Sequence, residues 1–247
     1  MSAQEASSAA DEFPPTQWSL VSAVEANRGT VSQDALETLC RLYWKPVYHL
    51  IRSQARPGEE AIDLTQGFFA HLVEQGLIGR ADRRRGRFRS FLHGCVKRYL
   101  SGERDRMNTV KRGANWSRLG RDIEGVEEYL VLADQTEAPP DQSYDYACVL
   151  ALMREALRLL ELECASRGRT PIFNALKPYL QGDAAAPDHA ETARKLGTTP
   201  GTISVTVHRM RHRYRILLRS VVARTLSDPL AVDEELQSLR EIIESHS

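Results

Sequence analysis

No part of this sequence stays apolar for long. A membrane-spanning helix needs roughly 18 consecutive apolar residues, and even the stretch from Ile216 to Ala223 is broken by Arg219. A soluble chain without a membrane partner is therefore expected. Cysteine is scarce too: Cys40, Cys95, Cys148 and Cys164 stand far apart, with no CxxC pair and no short Cys/His cluster. Such spacing offers neither a disulfide framework nor four zinc ligands, so reduced, buried thiols and no metal are expected. The opening MSAQEASSAADEFPP contains no Lys or Arg and no long apolar core. A secretory signal has both, so residues 1–15 read as a disordered leader on a cytoplasmic protein. Glycine-rich phosphate loops, HExxH and GxSxG are all missing, and Glu59, Glu60 and Asp63 read as an exposed helix face. Neither an enzyme nor a bound cofactor is expected.

What is present is an ordinary globular mixture, 42% hydrophobic and 27% charged over 247 residues, enough for one large domain or two small ones. The formal charge is zero, with 33 basic and 33 acidic residues, yet the charge is segregated. Between Arg80 and Arg112 stand twelve basic residues against three acidic ones, and from Ile203 to Arg224 six arginines meet no acid. Between these runs lies an acidic section with Asp122, Glu124, Glu127, Glu128, Asp134, Glu137, Asp141 and Asp145, and the tail from Asp228 is acidic again. Two basic modules on an acidic connector suit a protein that touches one polyanion at two places. Merely solvated arginine faces are the alternative.

No apolar alternation marks a strand, and the chain reads as all-α. Residues 16–27 and 33–56 are expected to be helical, the latter because Leu36, Leu39, Tyr43, Val47 and Leu50 recur at steps of three and four. A helix over 59–75 would turn Ile62, Phe69, Leu72 and Val73 to one side, and one over 90–106 would turn Phe91, Cys95, Tyr99 and Leu92 inward. Gly113, Gly120, Gly125, Pro139 and Pro140 make 113–145 a flexible acidic linker. The domain plan is thus a leader over 1–15, a helical domain over 16–112, the linker, a second helical domain over 146–226 and an acidic tail over 227–247. The halves are expected to be loosely placed.

The second domain carries the most specific pattern. A short helix His189–Leu196, a turn at Gly197 and a helix capped by Thr199 with Pro200 in its first turn have helix-turn-helix spacing. Ala193, Leu196, Ile203, Val207 and Met210 would face inward, leaving Thr202, Ser204, Val205, Thr206, His208, Arg209 and Arg211 outward. In a major groove, Thr, Ser and His can bond base edges, Val205 can meet thymine methyls, and Arg211, Arg213 and Arg215 can bind phosphates. A purely structural hairpin is the alternative. His208 and His212 stand four apart without a third ligand nearby and read as two solvent-facing imidazoles.

Two separated stretches together resemble the extracytoplasmic-function (ECF) class of bacterial RNA polymerase sigma factors. AIDLTQGFFAHLVEQ with GRFRSFLHGCVKRYLSGERDR is similar to the family's region two, and HAETARKLGTTPGTISVTVHRMRHRYRILL to its region four. The leader TQWSLVSAVEANR and the helix LCRLYWKPVYHLIR resemble a subgroup found in planctomycetes and related bacteria. The resemblance implies core RNA polymerase and promoter DNA as partners, with an anti-sigma factor or other regulator as a further candidate. It maps polymerase docking onto Asp63, Leu64, Gln66 and Phe69. It maps capture of the melted minus ten element onto the loop 79–87, with Arg83, Arg84, Arg85 and Arg87, and then Phe88, Arg89, Arg98, Tyr99, Arg104 and Arg106. It assigns the minus thirty-five element to Thr202, Ser204, Val205, His208, Arg209 and Arg211. Phe88 or Tyr99 would stack on an exposed base, or Phe88 would join Phe91 in anchoring its helix to the core; the spacing allows both. A stand-alone helix-turn-helix regulator is the alternative function, with the amphipathic DEELQSLREIIES as its dimer contact.

Overall fold

The computed structural model describes residues 33–54, 58–77, 87–109, 139–181, 186–226 and 228–246. Every regular element among them is helical: α1 (Gln33–Arg52), α2 (Gly58–Glu74), α3 (Phe88–Thr109), α4 (Pro140–Ser166), α5 (Thr170–Gln181), α6 (His189–Leu196), α7 (Pro200–Arg224), a 3-10 turn (Pro229–Ala231) and α8 (Val232–Glu244). No strand occurs among the described residues, and none of their helices is long and apolar enough to cross a membrane. The expected leader, the helix over 16–27, the arginine loop up to residue 86 and linker residues 113–138 lie outside the described residues.

Two apolar cores form because the helices carry stripes at steps of three and four. The first gathers Leu39, Leu42, Tyr43, Val47, Leu50 and Ile51 of α1 around Leu64, Phe68, Phe69 and Leu72 of α2 and Phe88, Leu92, Val96 and Leu100 of α3. In α3 the line that reaches the centre is 88, 92, 96 and 100, one residue per turn. Phe91 and Tyr99, expected inward, lie half-buried along its edge. Phe68, not singled out by the sequence reading, is wholly buried in α2, while Ile62 is only partly covered. The second core joins α4 from Val149 onward to Phe173, Leu176, Ile203, Val207, Val221 and Leu239.

Helix α4 belongs to both. At 1.5 Å per residue its 27 residues reach about 40 Å. Its first turns place Tyr144 and Cys148 in the first core, and the remainder builds the second. The Tyr144 hydroxyl donates to the Arg89 carbonyl at 3.1 Å. Farther along α4, Glu155, 6% exposed, accepts from Arg158 and from Arg41 of α1, with 3.3 Å between Arg41 Nε and Oε2. The guanidinium groups of Arg158 and Arg41 hold the Glu155 carboxyl below the usual range against the opposing effect of burial.

This arrangement corrects three expectations. A boundary at residue 146 would cut a helix, and residues 140–145 are helical, not linker. The halves are not loosely placed, because α4 packs along both α1 and α7. The acidic tail is a packed helix: Val232 and Leu239 of α8 are buried, and α8 lies against α4 and α7. The apolar stripe of this amphipathic segment, Val232, Leu236, Leu239, Ile242 and Ile243, finds its partner only in the folded chain.

The four cysteines form no disulfide. Burial pushes the thiol of Cys148 up to about 12 and that of Cys40 up to about 11, so both are protonated at neutral pH.

Candidate nucleic-acid interface

The helix-turn-helix forms where its local signals lie. Thr199 has an extended backbone and accepts the Thr202 N–H on Oγ1 at 3.2 Å; Pro200 follows at a position whose N–H would go unused. Gly197 ends α6 at φ 64°, a left-handed conformation that a Cβ disfavours. Space is open around it, so Gly197→Ala should cost about 1 kcal/mol through backbone strain alone. Thermal melting reads this; an unchanged midpoint would show that the turn relaxes freely.

Beneath the turn, Thr192, Ala193, Ile203, Val207 and Met210 are buried. Tyr179 of α5 fixes α6 from below, its hydroxyl 2.5 Å from the Pro187 carbonyl and 2.7 Å from Thr192 Oγ1. On the opposite side of α7, Thr202, Ser204, Val205, His208 and Arg209 are exposed, and Val205 keeps 51% of its surface open. Thr206 is half-buried and donates to the Thr202 carbonyl at 2.7 Å. Arg211, read as a phosphate ligand, is exposed but already engaged. Its Nε and Nη2 donate to the Tyr179 carbonyl at 3.2 and 2.9 Å, satisfying an orphan acceptor in the last turn of α5.

A feature absent from the sequence reading flanks this face. A cleft of about 470 Å³ opens where α4 ends and α5 begins, lined by Arg167 and Arg169 together with Thr206, Arg209 and Arg213 of α7. One carboxylate, Glu163, opposes the four guanidinium groups; it binds Arg213 Nη2 at 2.5 Å and Nε at 2.9 Å, and that bond holds its pKa low. The cleft is thus cationic on the edge of α7 that carries Arg209. Its signal in the sequence was the basic turn SRGR, which only the fold brings beside residues 206–213.

In the first cluster, Asp63 is exposed and Gln66 half-buried, three apart on one side of α2. Leu64 and Phe69, assigned with them to polymerase docking, are each 7% exposed and belong to the core. An amphipathic helix cannot turn all four outward, and of that set only Asp63 and Gln66 reach the surface.

The minus ten set divides similarly. Arg83, Arg84 and Arg85 lie outside the described residues, as does the side chain of Arg106. Phe88 is fully buried, 5.2 Å from the Tyr43 ring and 5.9 Å from that of Phe91, so it anchors the helix and offers no surface to a base. Arg89 is buried and ion-paired with Asp145 and Glu235, which removes it from the exposed set. Arg98 and Arg104 are exposed, with Arg104 Nη2 donating to Gln54 Oε1 at 3.0 Å. Arg98 shares a groove of about 250 Å³ with Tyr99, His71 and Cys95. Tyr99 packs its ring edge-on to Phe68 over Gly67, where a Cβ would come within 2.5 Å of the Tyr99 hydroxyl. Glycine in mid-helix is therefore what lets that ring sit down. No family model, curated protein or solved structure matches the chain.

Proposed function

We propose that the chain is a promoter-specificity subunit of RNA polymerase, an ECF-type sigma factor. In this reading α2 docks on core polymerase, α3 with the arginine loop captures the melted minus ten element, and α7 reads the minus thirty-five element. The observation that carries it is the exposed face Thr202, Ser204, Val205, His208 and Arg209, which lies beside a cleft where Arg167, Arg169 and Arg209 stand in excess of the Arg213–Glu163 pair. Short hydroxyls, an imidazole and two methyls suit base edges, and the cleft suits the backbone phosphates alongside. The stand-alone regulator would need a dimer contact at the C-terminus. Val232 and Leu239 of that segment are instead buried within their own chain.

The deciding experiment is reconstitution: core polymerase plus this protein should start transcription at a defined promoter, whereas neither does alone. Tight promoter binding by the protein without polymerase, and no initiation with it, would favour the regulator.

Within this reading His208 and Arg209 play different parts. Arg209 lines the cationic cleft, whereas His208 lies farther round the exposed face beside Val205. Arg209→Ala should weaken binding to all sequences and lower the salt slope by about one, while His208→Ala should relax choice at one base pair by about 1–3 kcal/mol. Salt titrations on a promoter and its single-base variants separate the two. Equal slopes and unchanged preferences would place the recognition helix elsewhere.

A further inference from the structure

Glu235 stands on α8 with 2% of its surface exposed. Its two oxygens meet the two guanidinium groups that flank Phe88: Oε2 lies 2.5 Å from Arg87 Nε, and Oε1 lies 3.2 Å from Arg89 Nε. Arg89, itself 6% exposed, reaches Asp145 of α4 through Nη1 at 2.7 Å. Arg87 Nη1 donates to Ser238 Oγ on the same helix as Glu235, at 3.3 Å. Between the two arginines, the Phe88 N–H donates to the Thr225 carbonyl just beyond α7, also at 3.3 Å. Two cations and two carboxylates therefore tie the start of α3 to α4 and α8, and a backbone bond ties it to the end of α7.

Charges withdrawn from water are costly, and burial pushes the Glu235 carboxyl above its usual range against the pull of Arg89 and Arg87. Such a network is tolerable only while all its members are in place, and its best-attested use is to specify one arrangement over another. Here the arrangement specified is the closed one. Arg87 and Arg89 are the last cations of the basic stretch that enters α3, and a guanidinium held against a carboxylate presents little charge to a phosphate.

We propose that α8 is an intramolecular latch: Glu235 holds Arg87 and Arg89 against the helix-turn-helix half in the free protein and withholds them from nucleic acid until the halves separate. The proposal rests on the promoter-binding reading above. Nucleic acid opens the latch by competing, through its phosphates, for the same guanidinium groups.

The test compares the full chain with Glu235→Gln, which keeps the shape and removes the charge, and with Glu234→Gln, the same change at the exposed neighbouring position. Two quantities are read: hydrogen exchange along α8 and at the Phe88 amide, and affinity for a short fluorescein-labelled single-stranded oligonucleotide. If nine-tenths of the free protein is latched, Glu235→Gln should speed exchange and tighten binding, each by about 10-fold, and Glu234→Gln should do neither. Glu235→Gln behaving as Glu234→Gln does in either assay would overturn the latch. Should Glu235→Gln fail to fold by circular dichroism, Glu235→Asp keeps the charge but withdraws it by one methylene, and the same two outcomes apply. Promoter-directed initiation with core polymerase is measured separately. Its absence for parent and variant alike defeats the sigma reading, while exchange and oligonucleotide binding still decide the latch.

Discussion

Asp63→Arg combined with Gln66→Ala should reduce association with core RNA polymerase by at least about 100-fold, because juxtaposed like charges at an interface cost several kcal/mol. The prediction takes its partner from the proposed function and its residues from the geometry of α2. Asp63 is exposed and Gln66 half-buried on the same side, with Ala61, Leu64, Phe68 and Leu72 filling the core behind them. Surface changes of this sort usually move stability by no more than about 0.5 kcal/mol, so the thermal midpoint should stay within about 2 °C of the parent. That separation of effects makes the pair informative. Leu64→Ala or Phe69→Ala would also reduce association, but by unfolding the helix that presents the site. Undiminished retrieval of core polymerase by the folded double variant would remove α2 as the docking face.

The second large effect is on stability. Phe88→Ala should destabilise the protein by about 3–5 kcal/mol, the usual range for emptying a fully buried phenylalanine site. In a chain of this size that lowers the thermal midpoint by about 10 °C. The Phe88 ring has no exposed surface, sits between Tyr43 and Phe91, and its backbone N–H reaches Thr225, so a cavity there loosens α3 at its first turn. A residue whose work is to stack on a melted base would behave in the opposite way: the midpoint would hold and open-complex formation would fail. Phe88→Leu sharpens the contrast, since it restores most of the buried volume but no aromatic face. Thermal melting beside permanganate reactivity of promoter thymines reads both. An unshifted midpoint for Phe88→Ala would contradict the packing described here.

Local signals in the sequence were enough for the all-helical class, for most helix spans and for the helix-turn-helix. Each of these depends on neighbours a few residues apart. The step of three and four in α1, the Thr199 cap with Pro200, and Gly197 in the left-handed region all act within a turn or two of the chain. The outward set on α7 was legible for the same reason: once Ile203, Val207 and Met210 face inward, helical geometry places Val205, His208 and Arg209 opposite them. What the sequence could not supply was which elements meet. Residues 227–247 read as an acidic tail whose amphipathic segment could meet a second copy, yet the stripe through Val232 and Leu239 packs onto α4 and α7 of its own chain and carries Glu235 with it. Arg87 and Arg89 looked like part of one cationic track, and only the approach of α4 and α8 separates them from it as ion-paired side chains. Arg211 was legible as exposed, but its bond to Tyr179 spans 32 residues. Arg167 and Arg169 gain their setting only because α4 ends beside α7. Helix propensity, capping and periodicity are short-range and are written in adjacent residues. Partnership between distant charges and stripes is set by how the helices pack, and that was decided by the tertiary structure alone.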